Sequence, residues 1–358
     1  MKKQAWIGLA AAVFVLGAAG FWGYQRWHGQ SGAAREDVLA FVPAEASAVL
    51  FVDFDELRSA PFMAQVYRWA PRPQADPDYA QFLKETGFDY ERDLHLLAVA
   101  TIKHELNSAL FAIVNGKFDR QKISAYAAKY GTTTKVDGRQ IFSVPVTGSP
   151  KKFSFTFLRD DQIAMTDDAN LAAFLGARKE DEDSRAWRVR FERLAGSPVL
   201  AVIRQGAGAG TALAAQAPGG LRSPQLSSLL DQLQWITIAG KSETDRIRVV
   251  AEGECSNEST TRQLVDMING VVILAQAGLN DAKTRRQLDP STREAYLDLL
   301  KSTDVSKIDR GQTKSVRVVL EITAAFLDAI SRPSQSVPEP APGKSLPGKA
   351  PASKNGRT

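Results

Sequence analysis

Residues 48–52 read Ala-Val-Leu-Phe-Val, and residues 198–202 read Pro-Val-Leu-Ala-Val. Each is a short β-branched and aliphatic run, and each reads as a buried strand. The segments downstream of the two runs also match. Leu57-Arg58-Ser59-Ala60-Pro61 and Leu221-Arg222-Ser223-Pro224 each stand at a helix start. A pair of strand-like segments comes next, 95–103 with 109–116 in the first half and 233–240 with 246–253 in the second. A helical stretch then succeeds each pair, at 119–130 and at 257–279. A strand closes each half, at 132–136 and at 315–322, so both read β-α-β-β-α-β, the ferredoxin-like order. The expected fold class is α+β: two diverged ferredoxin-like units with antiparallel sheets, after an N-terminal transmembrane helix. Divergent duplication and a coincidence between two α+β units both fit these matches.

Local signals sharpen the outline. Asp119 is placed to cap a helix that ends at Gly131, and Asp137-Gly138 between two strand-like runs is a type I′ hairpin signal. The charged run 178–184 (Arg-Lys-Glu-Asp-Glu-Asp-Ser) marks a boundary. The expected domains are a signal-anchor at 1–27, a juxtamembrane spacer at 28–40, a first α+β unit at 41–178, a second at 179–330 that opens on the charged linker, and a tail at 331–358. The tail has six prolines in 28 residues and is expected to be disordered.

The anchor rests on residues 5–24, AWIGLAAAVFVLGAAGFWGY, twenty residues without a charge. At helical rise they match the ~30 Å hydrocarbon core of a bilayer. Lys2 and Lys3 precede the run, and Phe21, Trp22, Tyr24 and Trp27 crowd its far end as interfacial aromatics do. A cleaved signal peptide is the competing reading; Gly17 and Ala19 could serve its processing site. The uncleaved anchor predicts a single-pass inner-membrane protein, N-terminus inside, with the bulk periplasmic or extracellular.

The formal net charge of +5 does not indicate a nucleic-acid partner. Residues 1–34 carry +3 and residues 331–358 carry +4, which leaves −2 for residues 35–330. A mildly acidic folded part lacks the basic footprint that polyphosphate requires. The basic tail is expected to bind anionic surfaces weakly. Cys255 is the single cysteine, so no intramolecular disulfide can form.

The opening Phe41-Val-Pro-Ala-Glu-Ala-Ser-Ala-Val-Leu-Phe-Val-Asp53, with the overall layout, resembles a family of uncharacterised bacterial membrane-anchored proteins. Those share an N-terminal anchor, a proline followed by a strand ending in Asp, and an α+β ectodomain of unknown function. The resemblance implies topology and no activity.

Motifs for chemistry fall short. Gly206-Ala-Gly208-Ala-Gly210-Thr211 has threonine where a dinucleotide fingerprint needs its third glycine. Ser149-Pro-Lys-Lys152 is too short a match to S-x-x-K to carry weight. His28, His95 and His104 include no helical i,i+4 pair for a metal. Asp89-Tyr-Glu91-Arg-Asp93 alternates carboxylates but lacks the turn glycine of an EF-hand loop. No catalytic residue, cofactor or metal site is expected.

One stretch exceeds background. Residues 265–279, VDMINGVVILAQAGL, are apolar nearly all round, whereas a surface helix shows one apolar stripe. Two placements fit: between the two sheets, or with one face, carrying Ile268, Val271, Val272 and Ala275, against a protein partner in the envelope. The leading functional expectation is a non-enzymatic, membrane-tethered envelope protein with a binding or scaffolding role. The rivals are an envelope hydrolase with dispersed active-site residues and a membrane-proximal assembly factor or chaperone.

Overall fold

In the computed structural model, residues 31–69, 77–103, 108–146, 152–168, 170–175, 182–194, 196–205, 228 and 230–331 are described. The expected transmembrane helix at 5–24, the glycine loop at 206–211 and the tail beyond Ser331 lie outside them. Among the described residues no helix is long and apolar enough to cross a membrane.

The strands are β1 (Ala46–Asp53), β2 (Leu94–Lys103), β3 (Ser108–Gly116), β4 (Thr132–Val136), β5 (Arg139–Pro145), β6 (Lys152–Arg159), β7 (Gln162–Thr166), β8 (Val199–Arg204), β9 (Leu233–Ser242), β10 (Arg246–Cys255), β11 (Asp304–Arg310) and β12 (Thr313–Thr323). They form one antiparallel sheet of twelve strands in the order β11-β12-β10-β9-β8-β1-β2-β3-β7-β6-β5-β4. The α+β class holds. The ferredoxin-like arrangement does not: that order brings two parallel strands to the sheet centre, whereas here β1 pairs directly with β2, antiparallel. Nor do the described strands divide into two sheets. The matching runs at 48–52 and 198–202 lie side by side, with Phe51 opposite Leu200 and Val49 opposite Val202. Outward from that seam the order is β1-β2-β3-β7 on one side and β8-β9-β10-β12 on the other.

Helices cover both faces. On one, α1 (Ser31–Leu39), α7 (Leu171–Phe174) and α8 (Glu182–Arg193) bury a core that runs across the seam. Phe51, Phe111, Leu171, Trp187, Leu200 and Trp235 all belong to it. The Trp187 and Trp235 rings meet edge-on at 4.9 Å. Residues 31–39, expected within a spacer, are helix instead: Val38 is fully buried and the Arg35 guanidinium lies 4.6 Å from the Phe51 ring centroid. A helix of small and charged residues gains its stability from that packing rather than from its own sequence.

On the other face, α2 (Phe54–Ser59), α3 (Met63–Trp69) and α12 (Ala324–Ser331) pack over the middle of the sheet. Beyond them α4 (Pro77–Thr86), the one-turn α5 (Tyr90–Asp93) and α6 (Arg120–Tyr130) lie on the first half. The second half carries α9 (Glu258–Asn280), α10 (Ala282–Gln287) and α11 (Pro290–Lys301). The predicted caps are in place. Lys122 N–H donates to Asp119 Oδ1 at 3.0 Å, Gly131 ends α6, and Asp137 and Gly138 both have positive φ at the hairpin turn.

Candidate functional site

An open groove of about 590 Å³ lies where the β4–β5 hairpin, the start of α6 and strand β6 meet. The hairpin turn sets Lys135 and Arg139 four residues apart, one on each arm, and both line the groove. Arg120, the first residue of α6, lines its other wall. Its guanidinium lies 5.2 Å from the Phe157 ring centroid and pairs with the exposed Asp160 at 3.2 Å. Thr156 donates its hydroxyl to the Gln140 carbonyl at 2.8 Å, tying β6 to the hairpin. None of the ten lining residues is acidic.

The groove wall is held from behind. Glu85 on α4 accepts from the Tyr130 hydroxyl at 2.7 Å and from Lys129 at 3.1 Å, both on α6. The Gln81 amide donates to both Tyr130 Oη and Glu85. The Tyr130 hydroxyl, then Gln81 and Lys129, hold the Glu85 carboxyl down to about 2, so the clamp stays ionised throughout the neutral range.

A second polar constellation crosses the sheet. Glu252 and Glu254 alternate along β10 and so point to the same face. The Glu254 side chain, 4% exposed, accepts from Arg190 at 2.5 Å and from Arg193, both on α8. Arg190 also stacks 3.9 Å from the Trp235 ring centroid. Glu252 accepts from Arg310 at 2.8 Å and from Arg317 Nε at 2.7 Å. Burial lowers the Arg190 pKa from its ordinary value, against the pull of Glu254. These ion pairs tie α8, β10, β11 and β12 together, a structural role.

The anticipated partner-facing residues on α9 divide. Ile268 packs against the core formed by Leu233, Cys255, Leu264 and Val316, while Val271, Val272 and Ala275 are half-buried. The large apolar residues that face outward are Ile273 and Leu274, 63% and 72% exposed. With one sheet rather than two, α9 is not sandwiched between sheets; its apolar circumference is shared between the core and solvent.

The remaining candidates take local roles. Asp53, the strand-ending Asp of the family resemblance, accepts from Glu56 N–H at 2.9 Å and caps α2; burial raises its carboxyl above the ordinary range. His95 Nδ1 lies 2.7 Å from Asp55. Burial works against ionising Asp55, but His95 and Arg58 outweigh it and hold the carboxyl low. Asp89 caps α5, and Asp93 pairs with Arg92. His28, His104 and the 206–211 glycines lie outside the described residues. Among the described residues no three His, Cys, Asp or Glu side chains come together as a metal site.

Sequence reasoning missed the groove. Lys135 and Arg139 flank the turn signal that it did read, and two cations beside Asp137-Gly138 were the available hint; nothing local placed Arg120 beside them. Comparison adds little to this picture. No family model matches the chain, and neither does any curated protein. The chain is similar to two solved structures, crystal form I of TP0453 (11% identity, 82% of this chain and 96% of that one, TM-score 0.43) and crystal form IV of TP0453 (13% identity, 84% and 100%, TM-score 0.41).

Proposed function

We propose that this chain is a non-enzymatic envelope protein, held in the inner membrane by residues 5–24 and acting through its extracytoplasmic part in binding or scaffolding. The observation that carries the binding role is the open groove beside the β4–β5 hairpin, a shallow surface lined by long polar side chains. A reaction chamber would instead exclude water around a reactive group. The charge-free run at 5–24, flanked by lysines and aromatics, supports the anchor. The two halves are diverged copies in this reading, supported by the matching strand order on either side of the β1/β8 seam. The tail at 331–358, with its net charge of +4, adds weak attraction to anionic surfaces.

Photo-crosslinking in native membranes tests the binding role. A photoreactive residue in place of the exposed Lys135 or Leu274 is expected to yield discrete adducts at one position or both. A probe on the outer face of α8, at the exposed Val189, serves as the comparison. Adducts no different from those at Val189 at both positions would remove the basis for a binding role.

A further inference from the structure

We propose that residues 270–280 of α9, with α10, dock on the anionic headgroup surface of a lipid bilayer. This rests on the membrane-tethered reading above and gives the α9 surface lipid as its partner, which leaves Lys135 as the position for protein adducts. The outward stripe of α9 changes character along its length. In the first half it is polar, with Arg262, Gln263, Asp266 and Asn269 exposed. After Asn269 the same stripe, at helical spacing, carries Ile273, Leu274, Ala277 and Gly278, all exposed. Ile273 and Leu274 are the most exposed large apolar side chains among the described residues, at 63% and 72%. Cations follow at once. Residues 281–293 hold Lys283, Arg285, Arg286 and Arg293 against Asp281 and Asp289, a net +2, whereas residues 35–330 together carry −2. Arg285 and Arg286 are exposed. An apolar strip bordered by arginines is the composition of a helix that lies in the interface, its apolar side about 5–10 Å into the headgroup boundary. A second copy of the chain is the poorer fit. Ile273, Leu274, Ala277 and Gly278 fall short of the roughly 800 Å² per partner that a stable interface buries. The bilayer needs no such area, because it is already close. Six residues, 25–30, separate the apolar run from Ser31 at the start of α1, and they span at most about 20 Å. The tether keeps lipid at high local concentration, so a small contact suffices.

Fluorescence quenching in lipid nanodiscs tests this on the full-length protein at one copy per disc. An NBD fluorophore is placed on Leu274→Cys or, as the comparison, on Val189→Cys of α8; the other thiol, Cys255, is buried. A nitroxide near the headgroup end of the lipid acyl chain is expected to quench the Leu274 probe strongly in discs that contain phosphatidylglycerol. The Val189 probe should keep its detergent-state emission. Ile273→Asp should cut the docked-to-free ratio about tenfold or more. Arg285→Gln with Arg286→Gln should cut it about fivefold per charge in phosphatidylglycerol discs, and hardly at all in pure phosphatidylcholine. All three replaced side chains are exposed, so far-ultraviolet circular dichroism should match the parent. Equal quenching at Leu274 and Val189 would overturn the inference, as would a Leu274 signal that Ile273→Asp leaves unchanged. A signal that needs two copies in a disc would overturn it in favour of self-association. The anchor is read separately, from whether the Ile273→Asp protein stays with the discs. A retained parent whose Leu274 probe is unquenched removes the docking alone, whereas loss of the Ile273→Asp protein from the discs removes the anchor and keeps the docking.

Discussion

Replacing Glu254 by alanine is expected to lower the free energy of unfolding by about 3–5 kcal/mol, the range found when one partner of a buried ion pair is removed. The carboxylate is 4% exposed and neutralises two guanidiniums, each with only 12% of its side chain exposed. Arg190 Nε is already buried without a hydrogen-bond partner, and so are Arg310 Nη1 and Ser315 Oγ nearby. The network therefore holds unmet guanidinium donors even before the carboxylate is removed. Glu252→Ala should cost less, because its partners Arg310 and Arg317 are 28% and 32% exposed and can turn to water. Urea unfolding of both variants against the parent measures the difference. A Glu254→Ala loss under about 1 kcal/mol, or a larger loss for Glu252→Ala, would mean that the arginines are not trapped as described.

Phe51→Ala should cost a similar amount, about 3–5 kcal/mol. Phe51 is 1% exposed, lies opposite Leu200 across the seam and carries the Arg35 guanidinium on its ring. Truncation leaves a cavity in a close-packed core and removes a cation–π contact. Because that core runs from Val38 to Ala239, the loss should reach both halves. Fluorotryptophan signals from Trp187 and Trp235 should shift their unfolding midpoint together with the far-ultraviolet signal. A shifted midpoint for the sheet with an unmoved one for those two tryptophans would mean that the halves unfold independently.

The parts of the fold governed by neighbours in sequence were legible. Asp119 and Gly131 bound α6, and Asp137-Gly138 turns the β4–β5 hairpin, because each acts within one turn of chain. Strand order was not. A ferredoxin-like sheet and the observed meander share the chain order β-α-β-β-α-β and the same apolar alternation, so only the non-local pairing of β1 with β2 and β8 separates them. Strand β11, Asp-Val-Ser-Lys-Ile-Asp-Arg, escaped because charges interrupt its pattern, which is how an edge strand guards its open side. Helix α1 escaped because small and charged residues signal it weakly. In Glu252 and Glu254 the two-residue spacing was readable as one face of a strand, but the arginines that neutralise them lie 58 to 65 residues away.

The proposed binding role depends on the folded part standing outside the cytoplasm while residues 5–24 stay in the bilayer. The most direct test joins two readouts on one fusion, with alkaline phosphatase placed after Thr358. The fusion should be enzymatically active, since that reporter folds only after export, and it should remain in the membrane pellet after an alkaline carbonate wash. An inactive fusion, or an active one released into the soluble fraction with a new N-terminus after residue 19, would contradict the account.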